Sequence, residues 1–427
     1  MRLFLILLGP LVLALAIVGF LSLTRGTPVK MVVTEGDEGP PPPTDSLFER
    51  TMELFTGTHI SPDNTVEQLL NGDETYPRLW QDLRAAQSTI TVQMYYTLPG
   101  SVSDTMAAIL KERARAGVRT LFILDGFGSL GMPRSWVESL REAGVEVEVI
   151  RKLKWYTLHH ATDRPHARAV VIDGRIGYTG GFGLADYWLG DGRQDGQWRE
   201  TNVRFTGPAV MQLQSAFASA WAETRGELLT GELFFPRSGF QPTGTVHAGL
   251  MYTSPTAGST PGERFFALTI AGARHRLYIA NSYFVPDTDF RRLLQRAAAR
   301  GVDVRILTVG PKTDIKTTRF AGRYRYEELL AAGVRIYEYQ PTMMHAKSLV
   351  ADGIWCAIGS MNFDNRSMAF NTETKLVVLD STLGAEMERE FFRDLEFSRE
   401  WTLEDMARRP VWERAVEAAA AIFSRLL

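Results

Sequence analysis

The chain carries one cysteine, Cys356, in 427 residues. An internal disulfide and a cysteine-based zinc site are both excluded. Cys356 sits in the apolar run IWCAIGS, the setting of a small buried hydrophobe rather than a reactive thiol. An excess of one charge is also missing. Lys and Arg number 47 and Asp and Glu 49, a formal net charge of −2. No global basic field marks nucleic acid as the main partner. Composition is otherwise that of a globular protein, neither disordered nor collagen-like.

Only one long hydrophobic run is present, Leu3 to Leu23, and it holds no charged residue. About 20 apolar residues span a bilayer as a helix. Residues 1–24 are therefore expected to form a transmembrane anchor. The run is longer than a usual signal-peptide core, and its n-region is only Met1 and Arg2. Arg2 and the amino terminus on one flank balance Arg25 and Lys30 on the other, so the positive-inside rule leaves the orientation open. Residues 25–45 follow as a linker, with Pro40 to Pro43 favouring an extended spacer that has no core to pack against.

The body begins near Ser46. STITVQMYY reads as a strand, 104–117 as a helix ending at Gly117, and VRTLFILD as a buried strand. SWVESLREAG and VEVEVI add a helix and a strand. The same plan returns about 180 residues on: RLYIANSYF, FRRLLQRAAARG, VDVRILTV, YEELLAAG, VRIYEYQ. An internal repeat of strand-helix-strand units predicts an α/β fold of two pseudo-twofold-related lobes, 46–235 and 236–400, each with a mostly parallel sheet flanked by helices. A last segment, 401–427, is expected to hold an amphipathic helix from Val411. Pro410 suits its start, and Trp412, Val416, Ala419, Phe423 and Leu427 fall along one side. It suits either a membrane surface or docking on the body.

Each lobe closes on a distinctive run, HARAVVIDGRIGYTGGFG from His166 and HAKSLVADGIWCAIGSMN from His345. Both place a cation two residues after the histidine (Arg168, Lys347), an aspartate seven after (Asp173, Asp352) and a glycine fourteen after (Gly180, Gly359). On a strand, residues i and i+2 share a face, so each imidazole should stand beside its cation. Two such faces give one imidazole to attack phosphorus and one to move protons. Arg168 and Lys347 are expected to neutralise the non-bridging oxygens. The turns at Gly180 and Gly181 offer backbone N–H groups, and Ser360 and Asn362 offer side-chain donors. Each histidine needs a partner on its second nitrogen. Glu200 and Glu373, 34 and 28 residues beyond the histidines, are candidates for that task. Asp173 and Asp352 then hold the turn after each strand. A lone His-x-Lys carries no signal; the full pattern twice does. His59, His159, His160, His247 and His275 lack the repetition and read as structural or surface residues, with His159 and His160 near the cleft mouth.

These residues resemble the paired His-x-Lys-x4-Asp signature of the phospholipase D superfamily over about 46–400. SYFVPDTDF, IYEYQPTMMHAKSLVADG, GSMNFDNRS, ILDGFGS and WRETNVRFTGPAV look like bacterial cardiolipin synthases in particular. The resemblance implies a membrane-bound phosphatidyltransferase that moves a phosphatidyl group onto the free hydroxyl of phosphatidylglycerol. It implies a phosphohistidine at His166, His345 as acid and base, and no required metal or cofactor. Three positions depart from the pattern: Arg168 for lysine, Gly183 for asparagine, and Asn202 where many relatives have histidine. Arg is not a neutral replacement for Lys, since a planar fork is not a point charge. Other readings are a hydrolase releasing phosphatidic acid, a phosphodiesterase on nucleic acid, which the charge balance disfavours, and a non-catalytic lipid-binding protein. Head groups, oligomeric state and membrane side are not encoded in these motifs.

Overall fold

The computed structural model describes residues 29–34, 39–152, 163–256 and 258–422. The expected anchor, 1–24, lies outside the described residues, as do His159 and His160. Among the described residues no helix is long and apolar enough to cross a membrane.

One continuous sheet of fifteen strands runs through the described residues. Its first seven, in chain order, are β1 Ser61–Leu70, β2 Thr89–Met94, β3 Arg119–Asp125, β4 Glu146–Ile150, β5 Ala169–Ile172, β6 Ile176–Gly180 and β7 Thr201–Thr206. The remainder are β8 Val246–Thr253, β9 Arg276–Asn281, β10 Asp303–Val309, β11 Arg335–Tyr339, β12 Lys347–Ala351, β13 Trp355–Gly359, β14 Glu373–Leu379 and β15 Ser398–Trp401. Across the sheet the order is β15-β11-β10-β9-β12-β13-β14-β8-β1-β7-β6-β5-β2-β3-β4. Read outward from the central pair β8 and β1, the two halves repeat strand for strand, with β15 added at one edge. The expected pseudo-twofold therefore runs through a shared sheet.

The sheet is not mostly parallel. Only β2-β3-β4 and β9-β10-β11 pair in parallel. The central strands pair antiparallel. The cause is local. Each histidine run folds as a hairpin at Asp173-Gly174 or Asp352-Gly353, where both residues take left-handed φ (51° and 59°; 52° and 68°). Ile172 and Ala351 carbonyls accept from Arg175 N and Ile354 N to close these turns. Two left-handed residues in an Asp-Gly turn give the twist a tight hairpin needs.

Helices cover both halves. Ala209–Arg225 buries Phe217 and Trp221 against Leu121 and Ile123 of β3. Pro261–Gly272 buries Phe265 and Phe266 with Ile279 and Ala357, and its Thr260-Glu263 capping box fixes its start. Each such aromatic contributes about 2–3 kcal/mol of apolar burial. The proline segment does not behave as a free spacer. Pro40 and Pro43 are buried, and the Pro40 carbonyl accepts from Arg274 Nη2.

The C-terminal helix is present over Val411–Ile422, while 423–427 lie outside the described residues. It docks through its polar side: Arg323, on helix Lys316–Arg323, meets Glu413 at 2.8 Å and Glu417 at 3.0 Å. Val411, Trp412 and Ile422 face outward, 63–81 % exposed.

Candidate active site

His166 and Arg168 lie just ahead of β5, and His345 just ahead of β12, whose first residue is Lys347. Glu200 precedes β7 and Glu373 opens β14. All converge at one end of the central strands. Short pairings between the halves fix this arrangement. Met343–Met344 pairs with Trp198–Arg199, and Pro165 bridges Thr372. His345 N donates to Arg199 O at 2.7 Å, and Thr372 N donates to Arg164 O at 2.8 Å. The backbone ahead of each histidine is thereby clamped to the backbone ahead of the opposite half's glutamate.

The carboxylate partners are consequently crossed. His166 Nδ1 meets Glu373 Oε2 at 2.9 Å and Oε1 at 3.0 Å. His345 Nδ1 meets Glu200 Oε2 at 2.5 Å. An Nδ1–H given to a carboxylate leaves Nε2 as the lone-pair nitrogen. The glutamates do orient the histidines, but each serves the other half's residue, which chain spacing does not reveal. Their surroundings differ. Glu373 also accepts from Ser360 Oγ at 2.5 Å and Asn371 Nδ2 at 3.1 Å. Burial pushes its carboxyl up, yet His166 and Ser360 hold it below the ordinary value. Glu200 accepts from Thr201 N at 3.0 Å and Trp188 Nε1 at 3.3 Å, and burial raises it.

The cations behave unlike each other. Arg168 Nη1 donates to His166 O at 2.8 Å and lies 2.9 Å from His166 Nε2, while its Nε donates to Phe182 O at 3.2 Å. Lys347 is fully buried, does not line the cleft, and donates to Ser282 Oγ at 2.7 Å and to the His345 carbonyl. Burial lowers its ammonium to about 7. Burial and the Arg168 charge lower His166 to about 4, and burial with Lys347 and Arg168 lowers His345 well below 6.5. Both shifts favour the neutral imidazole at pH 7.

His166 resists protonation down to about 4 when folded and titrates near 6.5 when unfolded. Between these values the unfolded chain binds more protons, so the contribution is complete above 6.5 and lost as pH falls toward 4. The melting midpoint should drop between pH 7.5 and 5, less steeply in His166→Gln. Identical pH slopes in the two proteins would contradict this burial.

The other expected site residues divide. Asp173 sits at the far end of β5 and accepts from Gln87 N, Ser88 N and Thr89 N at 2.7–2.9 Å. Asp352 does the same for Arg274 N, His275 N and Arg276 N at 2.8–3.0 Å. Both are remote from the imidazoles. Neither Gly180 nor Gly181 lines the cleft. A Cβ on Gly181 would fall 2.4 Å from Glu200 Oε2. Its N–H, with that of Phe182, is taken by Asn202 Oδ1 at 3.1 and 3.2 Å, so these amides do not serve a phosphate. Ser360 spends its hydroxyl on Glu373 and is fully buried. Asn362 does line the cleft.

Gly183 has its own explanation. A Cβ there would meet the Trp188 ring at 2.8 Å and Tyr96 O at 3.0 Å. The indole that reaches Glu200 fills the space of the absent asparagine. Gly183→Asn should therefore destabilise the fold by about 1–3 kcal/mol through overpacking, read as a lowered denaturation midpoint. An unchanged midpoint would show that Trp188 can move aside.

The cleft is about 390 Å³ and carries residues that the repeat did not point to. Tyr95 packs on His166 with ring centroids 4.6 Å apart, and Trp198 and Trp188 flank His345 at 4.8 and 5.4 Å. Tyr283 donates to Asp314 at 2.8 Å. Burial raises Asp364, which caps helix Asn365–Ala369, to about 7. Arg164 and Arg366 also line it. Arg164 has no basic counterpart two residues before His345, where Met343 stands.

A family model described as "Cardiolipin synthase, PLD-like domain" matches residues 79–221 and 267–395. The chain is 32% identical over 369 residues to the cardiolipin synthase of Alkalihalophilus pseudofirmus, covering 86% of this chain and 73% of that one. It is 32% identical over 344 residues to cardiolipin synthase A of Pseudomonas fluorescens, covering 80% and 71%. In fold it is similar to the phosphatidylserine synthase of Haemophilus influenzae, at a TM-score of 0.66 with 11% identity over 90% of this chain and 100% of that one. A polyphosphate kinase from Porphyromonas gingivalis shares the fold at a TM-score of 0.53 with 14% identity, over 85% and 53%. With two histidine runs meeting in one cleft and a family match over more than half its length, the chain belongs to the cardiolipin synthase family of the phospholipase D superfamily and is a phosphatidyltransferase-type enzyme.

Proposed function

We propose that the chain takes a phosphatidyl group from one phosphatidylglycerol and places it on the free hydroxyl of a second, through a phosphohistidine at His166. The observation that carries this is the pair of imidazoles in one cleft, each with Nδ1 bound to a carboxylate of the other half. His166 Nε2 attacks phosphorus, the P–O bond to glycerol breaks, and His345 protonates the leaving alkoxide. The acceptor hydroxyl then gives its proton to His345 and attacks phosphorus, and the P–N bond breaks. His345 must be protonated for the first step. The negative charge of a bound phosphodiester favours that state, opposing the depression by burial, Lys347 and Arg168.

Of the two cations in the repeated runs, Arg168 lines the cleft, and it stabilises the transferring group together with Lys347 behind it. Tyr95, Tyr96, Trp188 and Trp198 line the walls with apolar surface, which favours a lipid hydroxyl over water as acceptor. Membrane attachment by 1–24 belongs to the same reading, with the outward Val411, Trp412 and Ile422 as a second contact.

The test is to incubate purified protein with phosphatidylglycerol vesicles, with and without chelator, beside His166→Ala, and identify lipid products by mass spectrometry. Cardiolipin plus glycerol, unaffected by chelator and absent in the variant, is expected. Phosphatidic acid alone would make the enzyme a hydrolase.

A further inference from the structure

Phosphatidyl transfer between two phospholipids brings two phosphodiesters together, and the catalytic centre described so far accounts for one. Arg164 is a second cation of the cleft that the mechanism leaves unused. The chain turns sharply at Pro165, where His166 N donates to Arg164 O at 2.9 Å, and this sets Arg164 beside the nucleophile. Its residue exposure is only 7 %, yet Nη1 finds no hydrogen-bond partner among the described residues. A buried guanidinium normally has its donors satisfied. Its Cζ lies over the Phe127 ring, 4.8 Å from the centroid, and Phe127 is 49 % exposed on the cleft wall. Stacking positions the fork without consuming its N–H groups. Asp125 is a nearby carboxylate that burial raises and the Arg164 charge partly lowers; its Oδ1 is taken by Phe127 N and Gly128 N, and its Oδ2 makes no hydrogen bond to Arg164 or to any other described residue. Arg366 lines the same cleft, as do Asn362 and Asn371, whose Oδ1 atoms are unpaired among the described residues and suit hydroxyl donors.

We propose that Arg164, with Arg366, forms a second anion subsite that holds the phosphodiester of the acceptor lipid while its hydroxyl meets the phosphorus on His166. This rests on the transfer reaction proposed above and adds what selects the acceptor. A guanidinium fork matches a phosphodiester in two hydrogen bonds. Uncharged alcohols lack that anchor.

The experiment compares acceptors, with phosphatidylglycerol vesicles as donor and either glycerol or the soluble diester glycerophosphoglycerol added. In the native protein the diester should be favoured, and inorganic phosphate should compete against it. In Arg164→Gln the ratio of kcat/KM for diester over glycerol should fall about tenfold or more, the loss of one charge-assisted contact. Arg164→Lys should recover part of the ratio, which a merely structural role would not give. Arg366→Gln should move it in the same direction. An unchanged ratio, or an equal loss with both acceptors, overturns the subsite. If the native protein makes no product from any acceptor, the proposed reaction fails. The subsite is then judged by calorimetry of glycerophosphoglycerol binding, where equal affinity of native protein and Arg164→Gln overturns it.

Discussion

Replacing His166 with alanine is expected to reduce phosphatidyl transfer by at least about 10⁴-fold, because the covalent intermediate proposed at His166 can no longer form and His345 is then left as acid and base without its nucleophile. Folding should survive, since the lost ring leaves a cavity open to the cleft. The loss should appear in kcat, with vesicle binding retained. His345→Ala should be as slow overall, but through a different step. Without the proton donor, attack on a good leaving group persists. A donor carrying a nitrophenol in place of glycerol should therefore give a burst of nitrophenol in His345→Ala and none in His166→Ala. A burst in the second variant would reverse the assignment of nucleophile.

The crossed carboxylates give the second large effect. Glu373→Gln and Glu200→Gln should each lower kcat by about 10²–10⁴-fold, because an amide no longer favours the imidazolium and can select the wrong tautomer. The pairing itself is read from stability. A double-mutant cycle between Glu373 and His166 should show a coupling of about 1–3 kcal/mol, and one between Glu373 and His345 close to none. The mirror result should hold for Glu200, coupled to His345 alone. Coupling within each half, rather than between halves, would mean that the clamps at Pro165–Thr372 and Met343–Trp198 do not form. Each glutamate holds two further donors, Ser360 and Asn371 on Glu373 and Thr201 N and Trp188 Nε1 on Glu200, so the two replacements should cost comparable stability.

Much of the plan was legible in the sequence because the repeat is carried by apolar periodicity. The strands around Val92, Leu121, Ile279 and Ile306 and the helices between them stand where the pattern puts them. The sheet's central strand β1 was not legible. SPDNTVEQLL alternates weakly and holds Pro62, Asp63 and Asn64, which argue against a strand. It persists because Asn64 Nδ2 bonds the Val246 and Ala248 carbonyls across a bulge, a partner 182 residues away. The antiparallel centre is encoded in the two Asp-Gly pairs, a hairpin signal that the helix-strand alternation around them masks.

At the site, repetition singled out both histidines, both glutamates and Arg168, which the fold brings together, and repetition is also what limited the reading. It cannot show that the glutamates cross. Nor can it find residues that one half has and the other lacks: Arg164 stands opposite Met343, and Trp198 opposite Asn371. It assigned phosphate contacts to Gly181 and Ser360 by type, whereas Asn202 and Glu373 already hold their donors. Burial and competing partners decide such matters, and neither is written in local spacing.

One measurement tests the central claim, that two halves build one phosphoryl-transfer site with His166 as nucleophile. Incubate His345→Ala with vesicles of phosphatidylglycerol and the nitrophenol-bearing donor, whose leaving group needs no proton from His345, quench rapidly under alkaline conditions, and map the phosphorus adduct by peptide mass spectrometry. An adduct on the peptide containing His166, absent from the double variant with His166→Ala, is the predicted result. An adduct on any other residue, or cardiolipin formed at the native rate with no adduct, would contradict it.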